Sequence, residues 1–319
     1  MRTAVFILMV LVSRILPAGG CPGCGGYSGS AGGGSNLLGL VGSQFGNYGN
    51  NFTLALSTAE FGGHDMDSAL ASRQISLSHW ISLQYAAAYN HTFGEKAMFL
   101  GQKFDYDVKG VGDMGLMAWF DLPGRTRFQP CPLDGDVTAI PDYWHVMIGV
   151  GTTAPTGKYD YKDDWGYYPA EFQLGTGTWN PLVSAAVFKR FNRFQPQLAV
   201  LYKFDERKND IGYWRSDAVL AKADFIYLTQ PKKKGAVAVG VSWSNVLEND
   251  RDYNWGVPGT YREIDGTGGK TLTGYIAYGF EVFKGFRPAL AYSFPVSQPS
   301  GDGTEDFRRA VSVMVNYNF

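Results

Sequence analysis

The last eleven residues, 309–319, constrain the chain more than any other stretch. Val311, Val313, Val315, Tyr317 and Phe319 share one parity; Ala310, Ser312, Met314, Asn316 and Asn318 share the other. A period of two is the side-chain period of a β-strand, so this stretch reads as a strand with one apolar face. Taken alone it fits either the terminal strand of a soluble sandwich or a stave of a closed barrel whose apolar face meets lipid.

The pattern recurs from residue 51 onward. Alternating segments fall at 52–61, 72–79, 81–91, 110–121, 142–152, 181–191, 194–206, 217–228, 235–247, 271–283, 286–296 and 309–319. Most are close to the roughly 9–11 residues of a tilted membrane strand. Met114, Leu116, Ala118 and Phe120 alternate with Asp113, Gly115, Met117 and Trp119. Val237, Val239, Val241 and Trp243 alternate with Ala236, Ala238, Gly240 and Ser242. Residues 75–89 also read as one long strand, because His79-Trp80 is not a usual turn pair.

Connection lengths separate the two architectures. Membrane barrels have short turns at one end and longer loops at the other. Working back from the carboxyl terminus, the connections are 297–308 long, Lys284-Gly285 tight, 248–270 long, 229–234 short, 207–216 long, Asn192-Arg193 tight and 153–180 longest. A sandwich has no reason to alternate in this way. The exception is 122–141, long yet on the short-turn side. Two hairpins also echo one another: Val187-Phe188-Lys189 leads to Phe194-Gln-Pro196, and Val282-Phe283-Lys284 leads to Phe286-Arg-Pro288. Each return strand has Pro two residues in, where one missing ladder bond is tolerated.

The expected fold is therefore all-β: an antiparallel up-and-down transmembrane β-barrel of about 12 strands over residues 51–319. Its last strand, ending at Phe319, resembles the closing strand and assembly signal of bacterial outer-membrane barrels. Composition agrees, with 41 Gly, 19 Tyr and 21 Phe but only 18 % charged residues, as turns and aromatic girdles require. The net charge of -1 argues against nucleic acid as a partner.

No run reaches the roughly 20 apolar residues of a spanning helix. Arg2, the apolar run 4–12 and the small residues Ala18, Gly19 and Gly20 read as a secretory signal peptide over 1–20. A lipoprotein cut before Cys21 is the alternative, though Ala18 stands where such signals usually carry Leu. Residues 21–50, rich in Gly, Ser and Asn, read as a flexible periplasmic arm.

Three further stretches bear a family likeness: Gly110-Val-Gly-Asp113-Met-Gly, Gly149-Val-Gly-Thr-Thr-Ala-Pro155-Thr-Gly157-Lys and Leu174-Gly-Thr-Gly177-Thr-Trp-Asn180-Pro181. With the terminal Tyr-Asn-Phe, their order over 52–319 resembles the outer-membrane proteins of the meta-pathway phenol-degradation family, a group of transporters. The resemblance implies a barrel and passage of small organic molecules, and supplies no site residues. The Cys-Pro-Gly-Cys arm departs from it.

Within a barrel the polar face turns inward, since a Lys or Arg facing lipid at the midplane costs ~2–4 kcal/mol. Asp113, His145, Gln195, Gln197, Lys203, Lys222, Asp224, Tyr275, Glu281 and Arg287 are accordingly expected to line the lumen. They form either a selective polar pore, or charge pairs that fill a narrow barrel, twelve strands lying between packed eight-stranded barrels and open porins. Loop 153–180 carries Tyr159, Tyr161, Trp165, Tyr167 and Tyr168, and loop 248–270 adds Tyr253 and Trp255. These suit an interfacial girdle or loop packing better than capture of an aromatic ligand.

Cys21, Cys24 and Cys131 all fall on the periplasmic side, where disulfides persist, and a bond from Cys131 to either Cys21 or Cys24 is expected. No metal or cofactor is expected: zinc lacks further ligands nearby, and Gly25 replaces the His of a haem motif. No Gly-x-Ser-x-Gly elbow accompanies His64, His79, His91 or His145, which argues against a hydrolase. The expected reading is an outer-membrane channel for small aromatic or hydrophobic molecules, with a closed structural or partner-binding barrel as the alternative. Expected partners are the lipid bilayer, the barrel-assembly machinery and a small-molecule ligand.

Overall fold

The computed structural model describes residues 51–318 except 62–63, 79–80, 99–101, 123–143, 164–165, 169–172, 190, 192, 206–207, 230–234, 254–260, 264–267, 281, 284–285 and 299–306. Among the described residues there is no helix. The strands are β1 (Asn51–Phe61), β2 (His64–Ser76), β3 (Ile81–Met98), β4 (Gln102–Val111), β5 (Met114–Leu122), β6 (His145–Ala154), β7 (Lys162–Asp163), β8 (Gly166–Tyr167), β9 (Asn180–Phe188), β10 (Phe194–Lys203), β11 (Ala218–Leu228), β12 (Gly235–Val246), β13 (Arg251–Tyr253), β14 (Tyr261–Glu263), β15 (Gly269–Phe280), β16 (Phe286–Ser297) and β17 (Phe307–Asn318).

Every neighbour along the sheet is antiparallel; β1 pairs with β2 and β17, and β2 also pairs with β3, so the sheet closes on itself. The closing seam runs from Asn51 opposite Asn318 to Phe61 opposite Phe307. Closure leaves no unpaired edge in the ring, which is what permits strands to cross a membrane at all. Hairpins β7–β8 and β13–β14 stand apart from the ring, in the loops.

The ring has twelve staves because β4 and β5 share one. Both pair with the same edge of the 18-residue β3: β4 with Tyr89 to Met98, β5 with Ile81 to Ala86. Between those ladders β3 advances from Ala86 to Tyr89, while its partner runs from Val111 to Gly115, one residue more. That is a β-bulge, and Gly112 and Asp113 form it. Gly112 N still donates to Ala88 O at 2.8 Å. The extra residue flips the parity, so Val111 and Met114, three apart, are both exposed on the outer face.

Alternation fixes which face is which. Val311 and Val313 are exposed, as are Leu290, Tyr292, Ile276, Tyr278, Val239 and Val241, whereas Ala310, Ser312, Met314 and Asn316 are buried. The carboxyl-terminal strand thus turns its apolar face outward, as an outer-membrane-type barrel requires and a sandwich forbids.

Two sequence expectations shift. The second strand, expected at 72–79, begins at His64, and β4 occupies residues expected to be loop. The reason is that β2, β3 and β4 continue into a polar zone, where Asp67, Asp105, Asp107 and Lys109 are exposed. A strand in contact with water needs no apolar face, so its alternation signal fades while its ladder persists. The doubtful break at 77–80 is real: Leu77 N and Ser78 N both donate to Ile81 O, at 2.9 and 3.1 Å. The hairpin repeat aligns on a different motif than its Val-Phe-Lys lead. Phe191 faces Phe194 and Phe283 faces Phe286, each across a two-residue turn.

Candidate functional site in the barrel interior

The inner wall is chemically mixed. One arc, on β3, β5, β6, β9, β10 and β11, buries Ala86, Met117, Trp119, Met147, Leu182, Phe188 and Leu201. Polar groups among and beside them pair locally: Trp119 Nε1 donates to Gln84 Oε1 at 3.0 Å, and Gln74 Nε2 to Ser82 Oγ at 3.0 Å. Beside it, sharing β10 and β11, a charged cluster sits next to a second apolar cluster that includes Ile226, Ala238, Ala277 and Met314. Gln197, Asp224, Gly240 and Tyr275 stand opposite one another in a single cross-strand row over β10, β11, β12 and β15.

Gly240 makes that row work. A Cβ there would lie 2.4 Å from Asp224 Oδ1 and 2.7 Å from the Tyr275 ring. With no side chain on β12, Tyr275 reaches across the strand and its hydroxyl donates to Asp224 Oδ1. Gln197 Nε2 donates to Asp224 Oδ2 at 2.7 Å, and Gln195 Nε2 to Gln197 Oε1 at 3.4 Å. Lys222 Nζ lies 3.2 Å from Asp224 Oδ2 and 4.9 Å from the centre of the Tyr275 ring. Both charged side chains of that pair are 1 % exposed. A second buried pair, Lys203 with Asp205, closes the outer end of β10. Asp217 ties that end down, accepting from Asp205 N at 2.7 Å and Tyr202 Oη at 2.5 Å.

The ten residues expected to line the lumen therefore divide. Gln195, Gln197, Lys222, Asp224 and Tyr275 come together in the clamp, Lys203 pairs above it, and Arg287 is buried on β16 opposite Asn316. His145 begins β6, and nothing is described of its side chain; Glu281 lies outside the described residues. Asp113 is buried in the bulge and joins the outer loop rather than the clamp. Sequence reasoning missed Gly240, whose signal was a glycine in mid-strand, a mark of close approach by another group.

At Asp113 the three quoted glycine-rich stretches meet. Asp113 Oδ1 accepts from Gly157 N at 2.9 Å; Oδ2 accepts from Thr176 N at 2.8 Å and Thr176 Oγ1 at 2.7 Å. Asn180 Nδ2 and Thr178 N both donate to Thr176 Oγ1, at 3.0 and 3.3 Å, and Asn209 Nδ2 to Thr176 O at 3.1 Å. Gly177 adopts a left-handed φ of 74° against the Tyr159 ring.

Of the loop aromatics, Tyr161 and Tyr168 pack on Val108 and Leu174, and Tyr161 Oη donates to Lys109 O at 3.2 Å. Burial raises the Tyr159 phenol above its ordinary pKa, and Asp210, 3.3 Å from its hydroxyl, adds to the shift. Burial raises Tyr161 likewise, with Asp160 adding. Tyr167 is exposed, with Lys162 Nζ 5.8 Å from its ring centre. Trp165 and all three cysteines lie outside the described residues. Facing the outer solvent, a cavity of 780 Å³ opens among Asn245, Glu248, Arg251, Glu263, Lys270 and Gln298.

On the outside of the ring, an apolar belt is bounded at both ends. Toward the tight turns it ends in aromatics: Phe283 stacks on Phe286 at 4.8 Å, Phe194 lies 5.0 Å from Tyr227, and Trp144 lies 6.4 Å from Phe191. Toward the loops it ends in polar contacts, an ion pair of Arg309 with Glu60 at 2.7 Å and a hydrogen bond between His91 and Asp107 at 2.8 Å. A continuous apolar belt between such borders fits the hydrocarbon layer of a bilayer and could not be left in water.

No protein-family model and no curated protein matches the chain. Among solved structures, it is similar to an outer-membrane channel of Pseudomonas putida F1, with 14 % identity over 85 % of this chain and 96 % of that one and a TM-score of 0.59. Weaker likenesses include the NanC porin (7 % identity, 84 % and 100 % of the two chains, TM-score 0.45) and the KdgM porin (8 %, 84 % and 99 %, 0.42). At these identities what the first match shows is the fold: the chain is an outer-membrane-type β-barrel.

Proposed function

We propose that the protein resides in the bacterial outer membrane and is a channel for small organic molecules, aromatic or hydrophobic. The observation that carries this reading is the mixed inner wall: a clamp of charged and polar groups beside buried Met, Trp, Phe and Leu side chains. Such a lining can offer a small amphipathic solute both an apolar surface and a polar partner. The resemblance of residues 52–319 to the phenol-degradation group supports the same class of solute. In this reading residues 1–20 direct export, and the strand ending at Phe319 is read by the assembly machinery.

One observation favours a second reading. Arg287, Met117, Gln84 and Leu201 are 0 % exposed, as expected if inward side chains fill a closed scaffold. Proteoliposomes decide between the two. A channel gives swelling with small uncharged organic solutes and steady single-channel current; a closed scaffold gives neither at any voltage.

A further inference from the structure

We propose that the Lys222–Asp224–Tyr275 clamp is the charge filter of the lumen. It holds mid-barrel electrically neutral, so that uncharged solutes are admitted in preference to ions of either sign. The inference rests on the channel reading and names the substrate class of that same site.

The argument begins with spacing. Lys222 and Asp224, two apart on one strand, share a face, and so do Lys203 and Asp205 on the neighbouring stave. In both cases the cation meets its own acid, at 3.2 Å for Lys222 and Asp224 and in direct contact for Lys203 and Asp205. An unpaired buried charge is strongly disfavoured, whereas a pair with its remaining lone pairs satisfied is tolerated. Asp224 meets that condition: one oxygen takes the Tyr275 hydroxyl and the other takes Gln197 and Lys222. The Tyr275 ring then lies over Lys222, so each charge of the pair has a neutralising or covering neighbour. The contact between Tyr275 and Asp224 is available only because position 240 is glycine, since a Cβ there would lie 2.4 Å from Asp224 Oδ1 and 2.7 Å from the Tyr275 ring.

The consequence is directional. Removing either charge leaves the other to attract mobile counter-ions into a low-dielectric passage, where a single charge biases permeation strongly. The test is the reversal potential across planar bilayers in a potassium chloride gradient, with folding checked by heat-modifiable gel mobility. Wild type is expected to discriminate little between the ions. Asp224→Asn should raise the chloride-to-potassium permeability ratio severalfold, Lys222→Met should lower it severalfold, and the double variant should return to the wild-type ratio. Tyr275→Phe, which keeps the ring but frees one carboxylate oxygen, should give a modest shift toward potassium. A role confined to holding the strands together would not produce opposite signs that cancel. Folded single variants with unmoved ratios, alongside wild-type flux of uncharged solutes, would overturn the filter alone. A wild type that carries neither current nor uncharged solute would remove the channel reading and the filter together.

Discussion

Asp113 and Thr176, 63 residues apart, meet at a single carboxylate oxygen, which accepts both the Thr176 amide at 2.8 Å and its hydroxyl at 2.7 Å. The other oxygen takes Gly157 N. One buried side chain thus pins both ends of the longest described loop to the bulge between β4 and β5. Hydrogen bonds to a charged acceptor contribute about 1.5–3 kcal/mol each, and a buried donor left without one costs a similar amount. Asp113→Ala is expected to destabilise the folded barrel by at least about 2 kcal/mol by that reasoning. Urea unfolding followed by gel mobility measures this. Protease cleavage within 155–180 should accelerate, with Asp113→Asn intermediate because its amide keeps one acceptor.

The same junction depends on two glycine backbones in contact. A Cβ on Gly175 would lie 2.3 Å from Gly157 O and 2.7 Å from Asp113 Oδ1. Gly175→Ala should therefore loosen the loop although every hydrogen-bonding side chain is retained. Overpacking of this kind typically costs about 1–3 kcal/mol. The same cleavage assay reads it, and a cleavage rate equal to wild type would count against so tight a contact.

Tyr159 supplies a pH dependence. Its phenol is raised mainly by burial and further by Asp210, so the folded state favours the neutral form. A raised pKa contributes stability that is fully present below the unfolded tyrosine value of about 10 and is lost as pH rises through the folded value. Alkaline titration followed at 295 nm should show late-ionising tyrosines, with one fewer in Tyr159→Phe. Loop cleavage should rise above about pH 10 in wild type and much less steeply in the variant.

The outer belt gives a depth-dependent expectation. Val313 is 48 % exposed in mid-strand on the outer face. Val313→Lys should destabilise the barrel by ~2–4 kcal/mol, the usual cost of a cation at the bilayer midplane. Thr58→Lys, on the outer end of β1 opposite Val311, should cost less because the charge reaches the interface. Folding titrations into lipid vesicles compare the two, and equal losses would argue against the belt.

The barrel itself was legible because lipid imposes a rule on each stave: an apolar residue at every second position. Val311, Val313, Ile276 and Leu290 obey it, so strand number and the tight turns at 192–193 and 284–285 follow from the sequence. Legibility failed where the rule lapses. β4 and the first half of β2 rise into water, so Asp67 and Asp107 carry no alternation. The bulge at Gly112-Asp113 was hidden because Val111 and Met114 look like members of two different registers unless the ladder to β3 is known. Individual polar residues could be assigned to the inward face, but not their partners, because partnership depends on register. Only the row Gln197, Asp224, Gly240, Tyr275 reveals that a glycine is what joins Asp224 to Tyr275.

Spin labels in lipid vesicles test the two-faced barrel most directly, placed at Val313 and Leu290 in a chain whose cysteines are replaced by serine. Both positions should show high collision rates with oxygen dissolved in the bilayer and little contact with a water-soluble nickel complex. Labels relaxed chiefly by the nickel complex would mean that these faces meet water, and the membrane barrel would be contradicted.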